Sequence, residues 1–453
     1  ESIEIVKDTA PVVKANAVAI TSTFYEKMLG RHPELYKYFN ESNQRKAAAK
    51  DQIPSGSRSF GNFIPGERPG IAPTKEEEMN NNNNAGSSSS QSKTLADAII
   101  AYATNVDALE NLADLVNRMC HKHAALGIKP EHYQIVHDNL VEAVGEVLGS
   151  DVVTAEVAAA WSEAITELGR ICISTEEALY DEAAMQQWSG IREFTVSEIV
   201  NEAKDIISLR LKPLDEKGTY PFEPGQYITV YEKPDDKKYF APRHYTVTSQ
   251  PDDDFYQITV KKSESPDGYV GIMSHLLHNK TEGDTVKLGP VFGPAPLRQY
   301  ASKDRAAVFI TAGVGITATM AMLPKAMEIC PKVVVFHADD SPGTMAFRRQ
   351  LMDQAQKSAK LDLDISYFRQ QELPFDSNGM LYVTEGVLTS DKIVHKLSSM
   401  SNEINLPEGT DFFVCAGPTN TPAIYKGLAV AGVNPKRIHL EYFGPFVTLE
   451  LDS

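Results

Sequence analysis

The spacing of apolar residues changes twice along this chain, and no single fold satisfies all three patterns. From Ile3 to about Met185, apolar residues recur every three or four positions, which is typical of helices. From about Ile191 to Leu297, apolar and polar residues alternate between Gly and Pro turns, which indicates an antiparallel barrel. From Ala306 onward, short continuous apolar runs alternate with helical stretches, which indicates a parallel sheet buried on both faces.

We therefore predict a multidomain chain: an all-α domain over 1–185, a six-stranded antiparallel β-barrel over 190–298 and an α/β domain with a parallel sheet over 299–453. The runs expected to form parallel strands are 308–312, 333–336, 363–368 and 412–415. A segment at about 53–90 interrupts the helical domain. Because it is rich in Pro, Asn and Ser and can bury little apolar surface, we predict a disordered surface insertion, an inert expansion rather than a regulatory element.

The charge and the cysteines of the chain limit the classes of binding partner and the cellular location that we expect. The net charge of −17 disfavours nucleic acid and anionic membranes as partners. No apolar run is long enough to span a bilayer, and no basic region followed by an apolar stretch opens the chain, so we expect neither a transmembrane segment nor a secretory signal. The cysteines are far apart and form no CxxC pair, which indicates reduced, mostly buried thiols in a cytoplasmic protein: Cys120, Cys172, Cys330 and Cys415.

The first chemically suggestive feature is a His-Lys-His triplet at 121–123. Residues two apart on a helix point about 200° apart, so the two histidines cannot share one ligand face. His123 continues an apolar helical stripe. His121 lies beside Asp114 and Asn117 on the helix and is expected to be solvated. The residue types alone leave open whether His123 is a core histidine or a metal ligand.

Motifs on both sides of the insertion give this region a likeness to a known family. Phe-Tyr-Glu-Lys-Met at 24–28, His-Pro-Glu-Leu at 32–35 and Tyr-Phe-Asn at 38–40 resemble the opening of microbial globin domains. Lys-His at 122–123, followed by Leu-Gly-Ile-Lys-Pro-Glu-His-Tyr at 126–133, resembles the proximal signature of the flavohaemoglobins. The resemblance to flavohaemoglobins extends along the whole chain except the insertion.

This resemblance implies a globin domain that binds haem b, with His123 as the axial ligand of the iron. Tyr133 and Glu176 match the residues that hydrogen-bond the proximal imidazole and raise its electron donation. Tyr25 matches the distal tyrosine, whose hydroxyl donates to bound oxygen, and Phe39 matches the ring that packs on the porphyrin. Tyr25, Tyr133 and Glu176 are therefore candidate catalytic residues.

The distal glutamine has two candidates, because the insertion can be placed on either side of it. Gln91 has the expected spacing from His123, and Leu95 follows it one helical turn later on the same face. Gln52 is the rival, but Gly56 would then take the place of the leucine. We favour Gln91 as the catalytic glutamine and Leu95 as its neighbour in the haem pocket.

The second region carries a pattern that resembles the flavin signature of ferredoxin-reductase-like proteins. Gly-Gln-Tyr at 225–227 precedes Arg-His-Tyr-Thr at 243–246, and the fork of an arginine suits the diphosphate of FAD. Tyr245 lies on the same strand face as Arg243 and can stack on the ring system. A Gly-x-x-Ser turn is expected to open a short helix at Ser274, with free N–H groups for phosphate. The implied FAD contacts here are Tyr227, Arg243, His244, Tyr245, Thr246 and Ser274.

The third region carries a Gly-x-Gly turn between a strand and a helix, where the backbone can approach a dinucleotide diphosphate. The predicted NAD(P) contacts are Gly313, Val314, Gly315, Ile316, Thr317 and Ala318. Cys-Ala-Gly-Pro at 415–418 resembles the family's Cys-Gly-Pro motif near the nicotinamide. The extra Ala leaves the contact of Cys415 open.

The sequence Glu-Tyr-Phe-Gly-Pro at 441–445 resembles the family's C-terminal motif, in which the phenylalanine covers the flavin. The further FAD contacts that it implies are Tyr442, Phe443, Gly444 and Pro445. Glu441 would lie between flavin and haem, with Lys122 facing it from the globin. We therefore expect Lys122 and Glu441 to form the electron-transfer interface.

The resemblance implies an NADH- or NADPH-dependent oxidoreductase, a nitric oxide dioxygenase that passes electrons through FAD to haem b and oxidises nitric oxide to nitrate with O2. The expected partners are thus the small molecules O2 and nitric oxide, and the chain is expected to be a monomer. Two other functions stay open: a haem-based sensor of O2 or nitric oxide, and a reductase of flavins, ferric compounds or quinones with an accessory haem. The preference between NADH and NADPH also stays open.

Overall fold

A computed structural model describes most of the chain outside the insertion and the two ends. The described residues are 2–38, 90–215, 217–234, 240–264, 270–368, 381–385, 388–400 and 408–443. Within these ranges the backbone alone is described at 90–94, 110, 381–385 and 418–419. The predicted insertion lies outside them apart from Ser90. None of the helices in these ranges has the length and apolar character needed to cross a bilayer.

The amino-terminal region is a helical bundle around one apolar core, as the sequence predicts. Its largest buried side chains include Phe24 and Met28, which lie on one face of the first helix. That helix packs along the second, fourth and fifth helices. The helices are α1 (Ser2–Arg31), α2 (Ser90–Thr104), α3 (Ala113–Leu126), α4 (Pro130–Leu148) and α5 (Ala155–Gln186), with 3-10 turns at Pro33–Tyr38 and Leu109–Leu112.

A sharp turn separates α3 from α4. Gly127 ends α3 in the left-handed conformation, with φ 75°, and its N–H donates to the carbonyl of Ala124 at 3.0 Å. The N–H of Ile128 donates to the carbonyl of His123 at 3.0 Å, and Pro130 begins α4. Both helices then pack against α5, so side chains from three helices can meet.

The second region is a six-stranded antiparallel sheet with the order β4-β3-β6-β1-β2-β5. It closes into a barrel where Val247, directly after β4, pairs with Ile258 on β5, and inward-facing residues such as Phe194 and Leu209 fill the interior. The strands are β1 (Arg192–Ala203), β2 (Ile206–Pro213), β3 (Tyr227–Glu232), β4 (Ala241–Thr246), β5 (Tyr256–Lys261) and β6 (Thr285–Phe292), with the short helix α6 (Ile272–His278) between the last two.

The third region is a parallel sheet with the order β10-β9-β8-β7-β11-β12 and helices on both faces. Every predicted apolar run forms a strand, and the strand pairs are parallel throughout. The strands are β7 (Ala306–Ala312), β8 (Val333–Asp339), β9 (Leu361–Tyr367), β10 (Leu381–Glu385), β11 (Thr410–Cys415) and β12 (Ile438–Leu440). The helices are α7 (Pro296–Tyr300), α8 (Ile316–Ile329), α9 (Arg348–Lys357), α10 (Ser390–Ser399) and α11 (Gly417–Val430).

The helical bundle and the barrel share a small apolar cluster. Ala124 and Ala125 of α3 pack there with Tyr227 and Phe292 of the barrel. Directly after α5, the amide of Gln187 exchanges two hydrogen bonds with the backbone of Val291, at 2.8 and 3.1 Å. The end of the bundle is therefore fixed to the barrel at the strand that leads into the third region.

Candidate functional site

His123 lies in the last turn of α3 and contacts side chains from two neighbouring helices. Its Nδ1 is 2.8 Å from Oε1 of Glu176 on α5 and 3.0 Å from the hydroxyl of Tyr133 on α4. The Tyr133 hydroxyl also donates to Oε1 of Glu176 at 2.5 Å. The three residues expected on the proximal side of a haem therefore form one hydrogen-bonded triad.

The triad determines which nitrogen of His123 carries a proton. The carboxylate oxygen Oε1 of Glu176 accepts hydrogen bonds, so Nδ1 of His123 is the donor to it. Burial, together with the neighbouring acidic groups Cys172 and Glu176, raises the pKa of Tyr133, so its hydroxyl stays a donor. The Nε2 lone pair is then available as a ligand, and hydrogen bonding at Nδ1 increases its basicity. The His123 side chain keeps 32% exposure while that of Glu176 has 3%, so one edge of the ring is open to a bound group.

The predicted distal residues are described only in part. Tyr25 is buried on α1 beside Phe24, with ring centroids 4.8 Å apart, and Leu95 packs on the same apolar core from α2. Gln91 lies in the first turn of α2, so it and Leu95 belong to one helix, but its side chain lies outside the description. Phe39 and the rival Gln52 lie outside the described residues.

The predicted flavin residues lie on the paired strands β3 and β4. Val230 pairs with Arg243 and Tyr227 pairs with Thr246, so the two motifs of the flavin signature are adjacent. Arg243 and Tyr245 point to one face of β4, because they are two residues apart on a strand. Nη1 of Arg243 donates to the carbonyl of Pro242 at 2.6 Å.

A buried polar atom supports the fit of this surface to a flavin. The hydroxyl of Tyr227 is buried and has no hydrogen-bond partner among the described residues, which a native fold rarely leaves uncompensated. Next to it, Nδ1 of His244 lies 2.9 Å from Oγ1 of Thr229. Burial, reinforced by the positive charges of Lys122 and Arg243, lowers the pKa of His244 to about 3. This polar surface therefore fits an uncharged, hydrogen-bonding ring system.

The expectation that a helix begins at Ser274 is wrong. The helix α6 begins at Ile272, with Gly271 as its N-cap residue. The Ser274 hydroxyl donates to the carbonyl of Gly271 at 2.9 Å and accepts from the N–H of Ser263 at 3.1 Å. A seryl hydroxyl can bond the preceding turn of its own helix. The Ser274 side chain therefore stabilises the start of α6 through Gly271 and Ser263.

The Gly-x-Gly turn lies where the sequence predicts it, between β7 and α8. A Cβ atom at Gly315 would be 2.0 Å from the carbonyl oxygen of Cys415, so only glycine allows this approach of the turn to β11. Side chains of Ile316, Thr317 and Ala318 are buried, so their contribution to a ligand would come from the backbone. Next to the turn, a cleft is lined in part by Thr311, Cys415, Gly225 and Glu441.

Lys122 and Glu441 come together from α3 and from the residue that follows β12. Burial raises the pKa of Glu441 against the opposing charges of Lys122 and Arg118. Burial likewise lowers the pKa of Lys122 against the charge of Glu441. Tyr442 is buried and Phe443 is 50% exposed, whereas Gly444 and Pro445 lie outside the described residues.

His121 is not solvated, in contrast to the sequence-based expectation. Its Nδ1 accepts a hydrogen bond from the backbone N–H of Gly293 at 3.1 Å, at the turn after β6. Burial lowers the pKa of His121 to about 4. One turn earlier, Nη1 of Arg118 donates to the carbonyl of Leu440 at 2.7 Å, a contact that the sequence analysis did not anticipate. The spacing of residues 118, 121 and 122 places them on one helical face, and this spacing is the sequence feature that could have predicted a shared contact surface.

Known proteins resemble this chain over nearly its whole length. A model of the globin family, described as "Globin", matches residues 74–172. The flavohemoprotein of Bacillus subtilis (strain 168) is 30% identical, covering 99% of this chain and 98% of that protein. The flavohemoprotein of Oceanobacillus iheyensis is 32% identical, covering 98% of this chain and 96% of that protein.

A solved structure has the same fold. The flavohemoglobin from Malassezia yamatoensis, with bound FAD and heme, superimposes with a TM-score of 0.72 at 21% identity. The match covers 98% of each chain. The order of helical bundle, antiparallel barrel and parallel sheet is therefore shared along the whole chain.

Proposed function

This chain belongs to the flavohemoprotein family, and we propose that it is a nitric oxide dioxygenase. In the proposed reaction, one electron from NADH or NADPH, one O2 and one nitric oxide give one nitrate ion. The observation that carries the proposal is the triad of His123, Tyr133 and Glu176 on the same chain as a reductase fold. A carboxylate on the proximal imidazole favours oxygen activation over simple storage.

We propose haem b, FAD and NAD(P)H as the bound groups, in domains over 1–185, 190–298 and 299–453. A flavin would divide a hydride into single electrons, and a haem would bind O2 for reaction with nitric oxide. The residues present fit these groups: Nε2 of His123 is free to bind a metal, and the Tyr227 hydroxyl needs a polar partner. The buried free cysteines are compatible with a cytoplasmic location.

The side chains of this protein would then hold and orient the bound groups and their ligands. Arg243 would hold the diphosphate of FAD, and Tyr245 would support its ring system. Glu176 keeps the proton on Nδ1 of His123, so that Nε2 stays a strong donor. Tyr25, with Gln91 as the favoured second donor, would give hydrogen bonds to a partly negative ligand on the distal side.

Spectra of the purified protein and nitrate analysis test the proposal. We expect a Soret band and flavin absorption, bleaching of the flavin by anaerobic NADH and then a shift of the Soret band to the ferrous position. Addition of nitric oxide to the oxygenated reduced protein should give one nitrate per nitric oxide consumed. Consumption of nitric oxide without nitrate, or a haem that stays ferric under excess NADH and also under excess NADPH, would overturn the proposal.

A further inference from the structure

The helix that carries His123 presents a second face to the reductase. Residues 118, 121, 122 and 125 have helical spacing that places them on one side of α3. Arg118 contacts Leu440, His121 contacts Gly293, and the carbonyl of Ala125 accepts from the Tyr231 hydroxyl at 2.6 Å. His123 itself points to Glu176, away from this face. One helix thus joins the proximal triad to both sheets of the reductase.

The contact of Arg118 falls on a short edge strand. Leu440 is the last residue of β12, which has three residues and lies at the end of the parallel sheet. An edge strand leaves carbonyl groups without a ladder partner on its outer side. The guanidinium of Arg118 donates to one of these, at 2.7 Å. A charged donor on a backbone carbonyl makes a stronger bond than a neutral one, so the helix holds this strand from outside the sheet.

The residue fixed in this way precedes Glu441 directly. The N–H of Glu441 donates to the carbonyl of Val414 at 2.9 Å, so the sheet holds one side of this peptide and Arg118 holds the other. Lys122 lies one helical turn after Arg118, and its positive charge interacts with the Glu441 carboxylate. The helix therefore bonds the backbone of this strand with one cation, and the charge of the next cation acts on the Glu441 carboxylate.

We propose that Arg118 is a positioning residue for electron transfer between the two halves of the chain, holding Leu440 and Glu441 in register with the helix of His123. The inference rests on the proposed function, because it assumes a flavin and a haem on either side of this contact. Loss of the bond would let the peptide of Glu441 move away from α3. Misplacement by about 1 Å, caused far from the chemistry, can cost about 100-fold in rate.

The test compares Arg118→Met, Arg118→Lys and the control Arg170→Met in the holoprotein. Arg170 is an exposed arginine of the same helical domain that pairs with Glu167, so the control removes the same charge without an interdomain contact. Stopped-flow absorbance with anaerobic NADH follows flavin bleaching and the Soret shift separately. We expect Arg118→Met to slow haem reduction at least tenfold, while flavin bleaching and haem content stay at the parent level. Arg118→Lys should recover part of the rate of haem reduction. Arg170→Met should match the parent in all three measurements.

A second measurement needs neither cofactor for its readout. Hydrogen exchange of the backbone amides at 438–443 should be faster in Arg118→Met than in the parent and in Arg170→Met. Haem reduction within twofold of the parent, or unchanged exchange at 438–443, would overturn the proposal. Normal electron transfer without nitrate formation would instead contradict the dioxygenase and leave the role of Arg118 intact.

Discussion

Glu176 and His123 are 53 residues apart in sequence, yet Oε1 of one lies 2.8 Å from Nδ1 of the other. The Tyr133 hydroxyl contacts both atoms, and the Glu176 side chain is almost fully buried. A buried carboxylate on an imidazole is costly unless it is hydrogen-bonded, and this one receives two donors. The electron-donor strength of the His123 imidazole therefore depends on the carboxylate of Glu176.

Replacement of Glu176 by Gln should weaken the triad with little change in volume. An amide cannot stabilise the Nδ1–H of His123 as a carboxylate does, so we expect turnover with nitric oxide to fall about 10- to 100-fold. The iron–histidine stretching frequency in resonance Raman spectra should fall as well. Glu177→Gln is the matched control, because Glu177 is the next residue on α5 and is exposed. Equal activity of the two variants would contradict the role of the triad.

Replacement of Tyr25 by Phe removes one hydroxyl from the buried core of α1. Haem content should stay unchanged, because the ring still packs against Phe24. Loss of one hydrogen bond of about 1.4 kcal/mol to bound oxygen corresponds to about tenfold faster oxygen dissociation. Flash photolysis or stopped-flow displacement measures this rate, with Tyr102→Phe as a control at another buried tyrosine. An unchanged dissociation rate would rule out Tyr25 as the distal donor.

The change in apolar spacing predicted the fold because each period belongs to one kind of element. The parallel strands appear at each predicted run. The alternating region forms the antiparallel barrel, although burial does not alternate strictly along β3 or β5. The spacing within a helix also predicted that His121 and His123 point apart. It could not show what covers the outer face of α3, and His121 was assigned to solvent although Gly293 donates to it. Periodicity defines a face, but only tertiary packing determines which element covers that face.

Side-chain roles assigned by motif were harder to predict than strands. The Gly-x-x-Ser pattern placed a helix start at Ser274, but Gly271 is the N-cap residue and the Ser274 hydroxyl turns back to bond it. Short polar side chains have such local partners available, and a motif does not reveal which one is used. Arg118 was missed for a different reason: its partner is a backbone carbonyl 322 residues away, which has no sequence signature.

Replacement of Gly315 by Ala tests the close approach of the Gly-x-Gly turn to β11. The added Cβ would lie 2.0 Å from the Cys415 carbonyl oxygen, so the turn or the strand end must shift. We expect a loss of about 1–3 kcal/mol in stability and slower flavin reduction by NADH, with a higher KM. Gly343→Ala is the control, because a Cβ there meets only the Ser341 hydroxyl, at 3.8 Å. If Gly315→Ala matched this control in both measurements, the proposed cofactor turn would lose its support.

His244 should make the stability of the barrel depend on pH. Its pKa is lowered from 6.5 to about 3 by burial and by the charges of Lys122 and Arg243, so the native state stays unprotonated where the unfolded state binds a proton. The contribution of unprotonated His244 to the free energy of unfolding is present above pH 6.5. It is lost as the pH falls from 6.5 toward 3, with a slope of at most about 1.4 kcal/mol per pH unit.

The His244→Asn variant, which does not titrate at this position, tests this expectation. In denaturant unfolding of the holoprotein between pH 4 and 7, its free energy of unfolding should depend less on pH than that of the parent. His395→Asn changes an exposed histidine on α10 and should leave the slope unchanged. Identical slopes for the parent and His244→Asn would show that the native barrel does not lower the pKa of His244, and the unprotonated His244 inferred for the flavin surface would then be wrong.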